Sequence, residues 1–204
     1  MTRIATVERP YRSQLREQQA EGTRERILDA TLRLMAGGMA SLSIPAVARE
    51  AGVSVPTVYR HFGTKGALLS ALYPYAARRT GLDAVPDPTS LEDLRGGIRA
   101  YFERLDALDD LARAAYASPI ADEVRHATMR SRVERIQRVA DSIRPKLPKV
   151  HRDRITRLLV VLTASSALRM WRDHLGASVE DAADDIDWVV RAAIAAATSK
   201  GMSR

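Results

Sequence analysis

Between Ser43 and Lys65 the chain sets hydroxyls, a phenol, a guanidinium, an imidazole and an ammonium group at short spacings: Ser43, Ser54, Thr57, Tyr59, Arg60, His61 and Lys65. These groups donate hydrogen bonds and carry positive charge, which is the chemistry of phosphate and base-edge recognition. Each also has a plainer role open to it. Tyr59 could seal a small core, His61 could be an ordinary surface histidine, and Lys65 could be a solvated charge. A phenol beside Arg60 and His61, one step ahead of the apolar Phe62, is better explained by phosphate contact.

The elements that must position these groups are legible around them. Ser43 can cap a short helix running through Glu50, with Ile44, Val47 and Ala48 on one face. Gly52 supplies the tight turn, Ser54 caps a second helix from Val55 to about Phe62, and Gly63-Thr64 break the chain again. Two short capped helices joined through a glycine form a helix-turn-helix. The first braces the second through small residues such as Ala48 and Ala51, and the second offers its N-terminal turn to a major groove.

Upstream, Ile27, Leu28, Thr31, Leu34 and Met35 recur at helical steps, so a helix is expected from Thr23 to Gly37-Gly38. Residues 1–21 lack an apolar period and read as a polar arm whose arginines Arg9, Arg12 and Arg16 could track a minor groove, or simply fray. Downstream, a helix is expected from Lys65 to about Arg79, with a kink or an end near Leu72 imposed by Pro74.

Composition agrees with an all-α fold. Alanine, leucine and arginine supply 80 of 204 residues, against 11 glycines and 9 prolines. Cysteine is absent, so no disulfide, thiol nucleophile or cysteine-bound metal is possible, and no apolar run reaches the length of a membrane span. A cytoplasmic protein with no membrane partner is expected. The net charge is +7, of which residues 1–80 carry +6 (12 basic against 6 acidic). A basic N-terminal third favours a polyanionic partner. A second excess, +8 from Arg125 to Arg157, suits solvated helix exteriors or the entrance to a site for an anionic ligand.

Enzymatic readings find no support. There is no Gly-x-Ser-x-Gly elbow, phosphate-binding loop or dinucleotide fingerprint, and Gly63-Thr-Lys-Gly66 is too short to cradle a phosphate. Asp122 and His126 share a helix face, but such a pair is far more often a local contact than a metal site. No catalytic residue, metal ligand or cofactor is assigned.

Thr23-Arg-Glu-Arg-Ile-Leu-Asp-Ala-Thr31, then Ser43-Ile-x-x-Val-Ala-x-x-Ala-Gly-Val-Ser54, then Thr57-Val-Tyr-Arg-His-Phe-x-x-Lys-x-x-Leu68 closely resembles the TetR family of bacterial transcriptional regulators. The resemblance covers roughly residues 22–80, with the motif at about 44–63. It implies a homodimer whose N-terminal three-helix head binds a double-stranded DNA operator and whose residues 81–204 form a helical bundle for dimerisation and a small-molecule effector, about nine helices in all. Matched residue by residue, Ser43 and Ser54 would cap helices and reach phosphates. Val55, Pro56 and Thr57 would meet base edges, Tyr59, His61 and Lys65 would meet phosphates, and Arg60 is the variable residue between them. Val55 and Pro56 depart from the polar residues or glycine of many relatives and leave few hydrogen-bond donors at the helix tip.

In the bundle, Leu91, Leu94, Ile98, Tyr101, Phe102, Leu105 and Leu108 form one stripe behind a capping box at Thr89–Glu92. Further helices are expected around 111–117, from Ile120 to a stop at Pro145, from about His151 to Leu175, and after Ser178. The bulky or soft groups Tyr101, Phe102, Leu105, Tyr116, Met129, Met170 and Trp171, with Ser165, Ser166 and His174 as polar contacts, could line a cavity for an apolar or amphipathic effector, or form plain core. For the dimer, the helices around 155–175 and 186–197 are favoured, through Leu158, Leu162, Val189 and Ile194. A repressor released by its effector is the leading reading. An activator of the same fold, or a helical carrier with a degenerate DNA module, are the alternatives.

Overall fold

The computed structural model describes residues 8–143 and 146–199, with side chains from Gln14 onward. Ten α-helices account for most of it: α1 Glu8–Ala36, α2 Ile44–Glu50, α3 Val55–Phe62, α4 Lys65–Thr80, α5 Leu91–Asp106, α6 Asp110–Ala117, α7 Ile120–Ser142, α8 Lys149–Leu162, α9 Ser165–Arg169 and α10 Val179–Ser199. A 3-10 turn, Leu82–Ala84, follows α4, and a π-helical turn, Met170–His174, follows α9. No strand occurs among the described residues.

Local chemistry sets the boundaries of the first helices. The Ser43 hydroxyl accepts from the Ala46 amide at 3.3 Å, the Ser54 hydroxyl from Thr57 at 3.3 Å, and the Thr64 hydroxyl from Ala67 at 3.0 Å. Each satisfies an amide that the first turn leaves without a helical partner. Gly52 and Gly63 take positive φ of 64° and 73° in the connecting turns, where a Cβ would be strained. Val47, Val58, Phe62 and Leu68 close over Ile27 and Leu28 of α1.

Several expectations are corrected. The polar stretch 8–22 is not an extended arm but the first half of α1, which starts at Glu8 rather than Thr23. Residues 14–22 are all exposed along it, so polar helix-formers rather than burial hold this part. Met1–Val7 and the side chains of Arg9 and Arg12 lie outside the described residues, whereas Arg16 is exposed. α4 does not end near Leu72. It runs through Pro74 to Thr80, with Pro74 on its exposed side. The cap of α5 is Ser90, whose hydroxyl accepts from Asp93 at 3.2 Å, one residue later than the expected box. The single helix expected from His151 to Leu175 is broken at Thr163 and Ala164, where the chain turns extended before α9.

Two apolar clusters organise the packing. One joins α1–α4 and takes in Ala115, Ile120, Ala121 and Val124 from α6 and α7, so the head is fused to the bundle rather than hung from it. The other is built around Phe102, Ile155, Leu159, Ile186 and Val190, each 0–2% exposed. Between α1 and α4 the Tyr75 hydroxyl donates to Asp29 at 2.6 Å, and Arg79 donates to the same oxygen at 3.1 Å. This latch holds α4, the connection between the clusters, against the base of the head.

Candidate nucleic-acid interface

α3 is an eight-residue helix with a sharply divided surface. At about 100° per residue, Val58 and Phe62 fall on one side and Pro56 and Arg60 on the other. Burial agrees: Val58 is 1% and Phe62 8% exposed, while Pro56 and Arg60 lie open. Tyr59 borders this open ridge on one flank, 48% exposed, and the half-buried Thr57 borders it on the other. Val55 is half-buried against the head cluster, so the helix tip presents Pro56 rather than two apolar side chains.

Thr57 is already engaged. Its hydroxyl lies 2.9 Å from that of Ser54, and its amide donates to the same cap. The pair fixes the first turn and still leaves hydroxyl lone pairs open to solvent. His61 lies further round the helix, half-buried, and its carbonyl accepts from Arg24 of α1 at 3.1 Å. Burial, then the positive charges of Arg60 and Arg24, lowers the His61 pKa below its ordinary value, so near neutral pH the imidazole is uncharged and donates through one N–H. Arg24 also stacks over the Phe62 ring at 4.4 Å. Sequence reasoning assigned Arg24 no role, although it stands within the first motif segment.

Lys65 opens α4 beside this surface. A cation at a helix N-terminus sits against the positive end of the dipole, which favours an anion nearby. The structure supplies one: Lys65 Nζ lies 2.6 Å from Glu123 Oε2, in the first turn of α7. A group expected to meet phosphate is therefore tied to the bundle across 58 residues of sequence, which spacing cannot reveal. Ser43 is exposed at the start of α2. The structure thus brings Ser54, Pro56, Thr57, Tyr59 and Arg60 to one helix surface, sets His61 and Lys65 at its margins, and turns Val55 partly inward.

The bundle contains two adjoining cavities that share Tyr73, Tyr101, Arg132 and Arg135. The smaller, about 90 Å³, is also lined by Leu72, Tyr116, Met129 and Ser165, and the larger, about 520 Å³, by Pro74, Leu82, Ile98 and Ile136. Of the expected effector contacts, Tyr101, Tyr116, Met129 and Ser165 line these walls. Phe102 and Leu105 are instead buried core, 0% and 6% exposed, while Met170, Trp171 and His174 lie in the π-helical turn, outside both cavity walls. Ser166 is exposed on α9. Asp122 pairs with Arg125 at 2.6 Å rather than with His126, and no cluster of metal-ligating groups occurs among the described residues. No helix among them is long and apolar enough to cross a membrane.

The expected dimer residues divide. Leu158 and Val189 are half-buried, and Leu162 and Ile194 pack against the bundle core. The large apolar groups left exposed on these two helices are Val150, 58%, and Val161, 67%, on α8 and Trp188, 70%, on α10. Trp188 continues into exposed Ala192, Ala195 and Ala196, a smooth stripe along α10.

The family model for bacterial regulatory proteins of the tetR family matches residues 27–72. The chain is 39% identical over 70 residues to the HTH-type transcriptional regulator SrpR of Pseudomonas putida, covering 34% of this chain and 33% of that protein. It is 32% identical over 139 residues to the HTH-type transcriptional repressor KstR of Mycobacterium tuberculosis, covering 64% of this chain and 60% of that one. A tetR-family transcriptional regulator from Streptomyces coelicolor, solved by crystallography, superposes with a TM-score of 0.49 at 20% identity, over 88% of this chain and 83% of its own. The matched stretches span between a third and three fifths of the curated relatives' length.

Proposed function

We propose that this chain, a member of the TetR family of bacterial transcriptional regulators, is a dimeric repressor that reads a palindromic operator with α3 and releases it when an effector enters the bundle. The observation that carries this reading is the open ridge of Pro56 and Arg60, flanked by Tyr59 and Thr57, on a helix whose opposite side is locked into the head by Val58 and Phe62. Arg60 and Thr57 read base edges, with Pro56 giving apolar contact to thymine methyls. Tyr59, His61 and Lys65 hold phosphates, while Ser43 and Ser54 fix the helix ends that approach them. The name of KstR as a repressor supports the sign of regulation. The head is assigned to residues 22–80 and the effector and dimer region to 81–204.

Two copies pair through α8 and α10, where Val161, Trp188 and the alanine stripe offer an uncovered apolar surface that allows close helix approach. Leu158 and Val189 border that surface. Pairing sets the two recognition helices one DNA turn apart, ~34–36 Å. α4 passes from the head into the walls of both cavities, with Tyr73 in both, Ala76 in the smaller and Pro74 and Ala77 in the larger. Pro74 leaves one backbone carbonyl of α4 without its helical donor and makes this a natural bending point. An effector that fits better when α4 tilts shifts the population away from the DNA-competent spacing.

Gel-shift titrations on the DNA beside the protein's own gene test this. Thr57→Ala and Arg60→Ala should change which sequences are preferred, whereas Tyr59→Phe and Lys65→Ala should change affinity across all sequences alike. Identical behaviour of all four variants and the parent would refute the assignments, and a chain that binds effector but no DNA would favour a carrier.

A further inference from the structure

Three arginines line the smaller cavity, and their surroundings differ. Arg125 is paired with Asp122 at 2.6 Å, and Arg135 with Asp87 at 3.4 Å. Arg132 is half-buried and faces both cavities, yet no carboxylate among the described residues comes within ion-pair distance of it. One guanidinium nitrogen of Arg132 donates to the Val160 carbonyl at 3.3 Å and to the Thr163 hydroxyl at 2.9 Å. These bonds anchor it against α8 just where that helix breaks, and they orient the charge without neutralising it. A half-buried cation with no counter-ion is costly to maintain, because its lost hydration is only partly replaced.

The groups around it complete a polar corner where the two cavities meet. Tyr101 lies beside Arg132, and burial raises its phenol pKa, so it remains a neutral hydrogen-bond donor. Tyr116 also lines the smaller cavity, and its buried hydroxyl has no hydrogen-bond partner among the described residues. Such a hydroxyl keeps its hydrogen-bonding capacity for a polar group of a ligand. The lining of the smaller cavity includes no aspartate or glutamate, while Leu32, Met35, Leu72 and Val124 make the remainder apolar. The larger cavity, at about 520 Å³, falls within the usual range for a drug-sized ligand, and its walls combine Leu82, Pro86, Pro88, Leu94 and Ile98 with Arg78, Asp83 and the Arg135–Asp87 pair.

We propose that the joined cavities bind an amphipathic monocarboxylate, its carboxylate held by Arg132 and the phenols of Tyr101 and Tyr116, and its apolar body lying along the proline- and leucine-lined wall. The inference rests on the effector-responsive reading above and narrows the effector to a chemical class. A guanidinium presents parallel N–H donors that match a carboxylate, and such charge-assisted bonds are about twice as strong as neutral ones. An alcohol of the same chain length keeps the apolar contacts and loses this term. The ligand couples to the head by its placement, since Tyr73 and Ala76 of α4 stand in the same walls.

Isothermal titration of the full chain with decanoate, decan-1-ol and decyltrimethylammonium, each below its aggregation concentration, tests the assignment. Decanoate should bind about tenfold or more tightly than decanol, the factor expected for one charge-assisted bond over a neutral one, and the cation should not bind. Arg132→Gln should bring decanoate down to about the affinity of decanol, and an unaltered far-UV circular dichroism spectrum reports that the variant is folded. Tyr116→Phe should weaken decanoate several-fold and leave the melting temperature equal or higher, because it removes an unsatisfied buried hydroxyl. Equal affinities for decanoate and decanol, or an undiminished preference in Arg132→Gln, would overturn the proposal while the effector reading stood. Binding of none of the three would also overturn it, and the effector reading would then be decided separately by whether any compound releases the operator.

Discussion

Glu123→Gln is expected to tighten DNA binding although Glu123 is itself an acidic residue of the bundle. In the free chain its carboxylate holds Lys65 Nζ at 2.6 Å, with the two side chains 34% and 37% exposed. A pair so open to water is worth about 0.5–1 kcal/mol. If the lysine must leave Glu123 to reach a phosphate, that energy is lost once per subunit, or about 1–2 kcal/mol for the dimer. Removing the carboxylate should therefore raise operator affinity by roughly 5- to 30-fold. Fluorescence anisotropy at fixed salt measures it, and a double-mutant cycle isolates the pair: in a Lys65→Ala background, Glu123→Gln should gain nothing beyond about twofold. Because Glu123 precedes the cavity-lining Val124 and Arg125 on α7, the substitution should also blunt release by effector. Unchanged or weaker DNA binding by Glu123→Gln would mean that Lys65 keeps its partner on DNA, and the switching role of the pair would be refuted.

Other consequences follow from the same geometry. His61 has a lowered pKa in the free head, and a phosphate beside it would raise it; between the two values DNA binding takes up protons, so affinity should climb as pH falls from 8 towards 6. His61→Gln should flatten that pH dependence, and an identical profile in parent and variant would remove the contact. Trp188→Glu should convert the dimer to a monomer in sedimentation velocity and weaken operator binding at least tenfold; a dimer of unchanged strength would place the interface elsewhere. Tyr75→Phe should cost about 1 kcal/mol in denaturant unfolding by removing one of the two bonds that hold Asp29 in the α1–α4 latch. The Tyr75 phenol is pushed up to about 12, chiefly by burial and then by Asp29. The folded state therefore keeps a proton that the unfolded chain gives up near 10, and the parent should lose more stability than Tyr75→Phe as pH rises from 10 to 12, the remainder coming from the buried phenols of Tyr101 and Tyr116.

The helices of the head were legible because their limits are written locally. Ser43, Gly52, Ser54 and Gly63 each act on amides or turns within four residues, and α2 and α3 begin and end where those residues require. The first half of α1 was missed for the opposite reason: its described side chains, residues 14–22, are exposed, and no apolar period announces it. The break after α8 carries neither glycine nor proline, and it lies where Arg132, 31 residues earlier, bonds to Thr163. Leu162 and Ile194 have the composition of an interface but the rotational position of core, whereas Trp188 has the composition of core and stands 70% exposed. Only packing decides which side of an apolar helix faces inward. The same limit hid the Lys65–Glu123 pair and the uncompensated charge of Arg132, both made by contacts between distant helices.

The central claim is that α3 presents a cationic, hydrogen-bonding surface to a duplex, and the salt dependence of binding tests it most directly. Measured on the DNA beside the protein's own gene from 50 to 200 mM salt, the logarithm of the association constant should fall steeply and linearly with the logarithm of salt concentration. The slope should shrink by about 0.9 for each phosphate contact removed, hence by about 1.8 for Lys65→Ala in both subunits of a dimer. A slope near zero, or one that Lys65→Ala and Arg60→Ala leave untouched, would contradict the account.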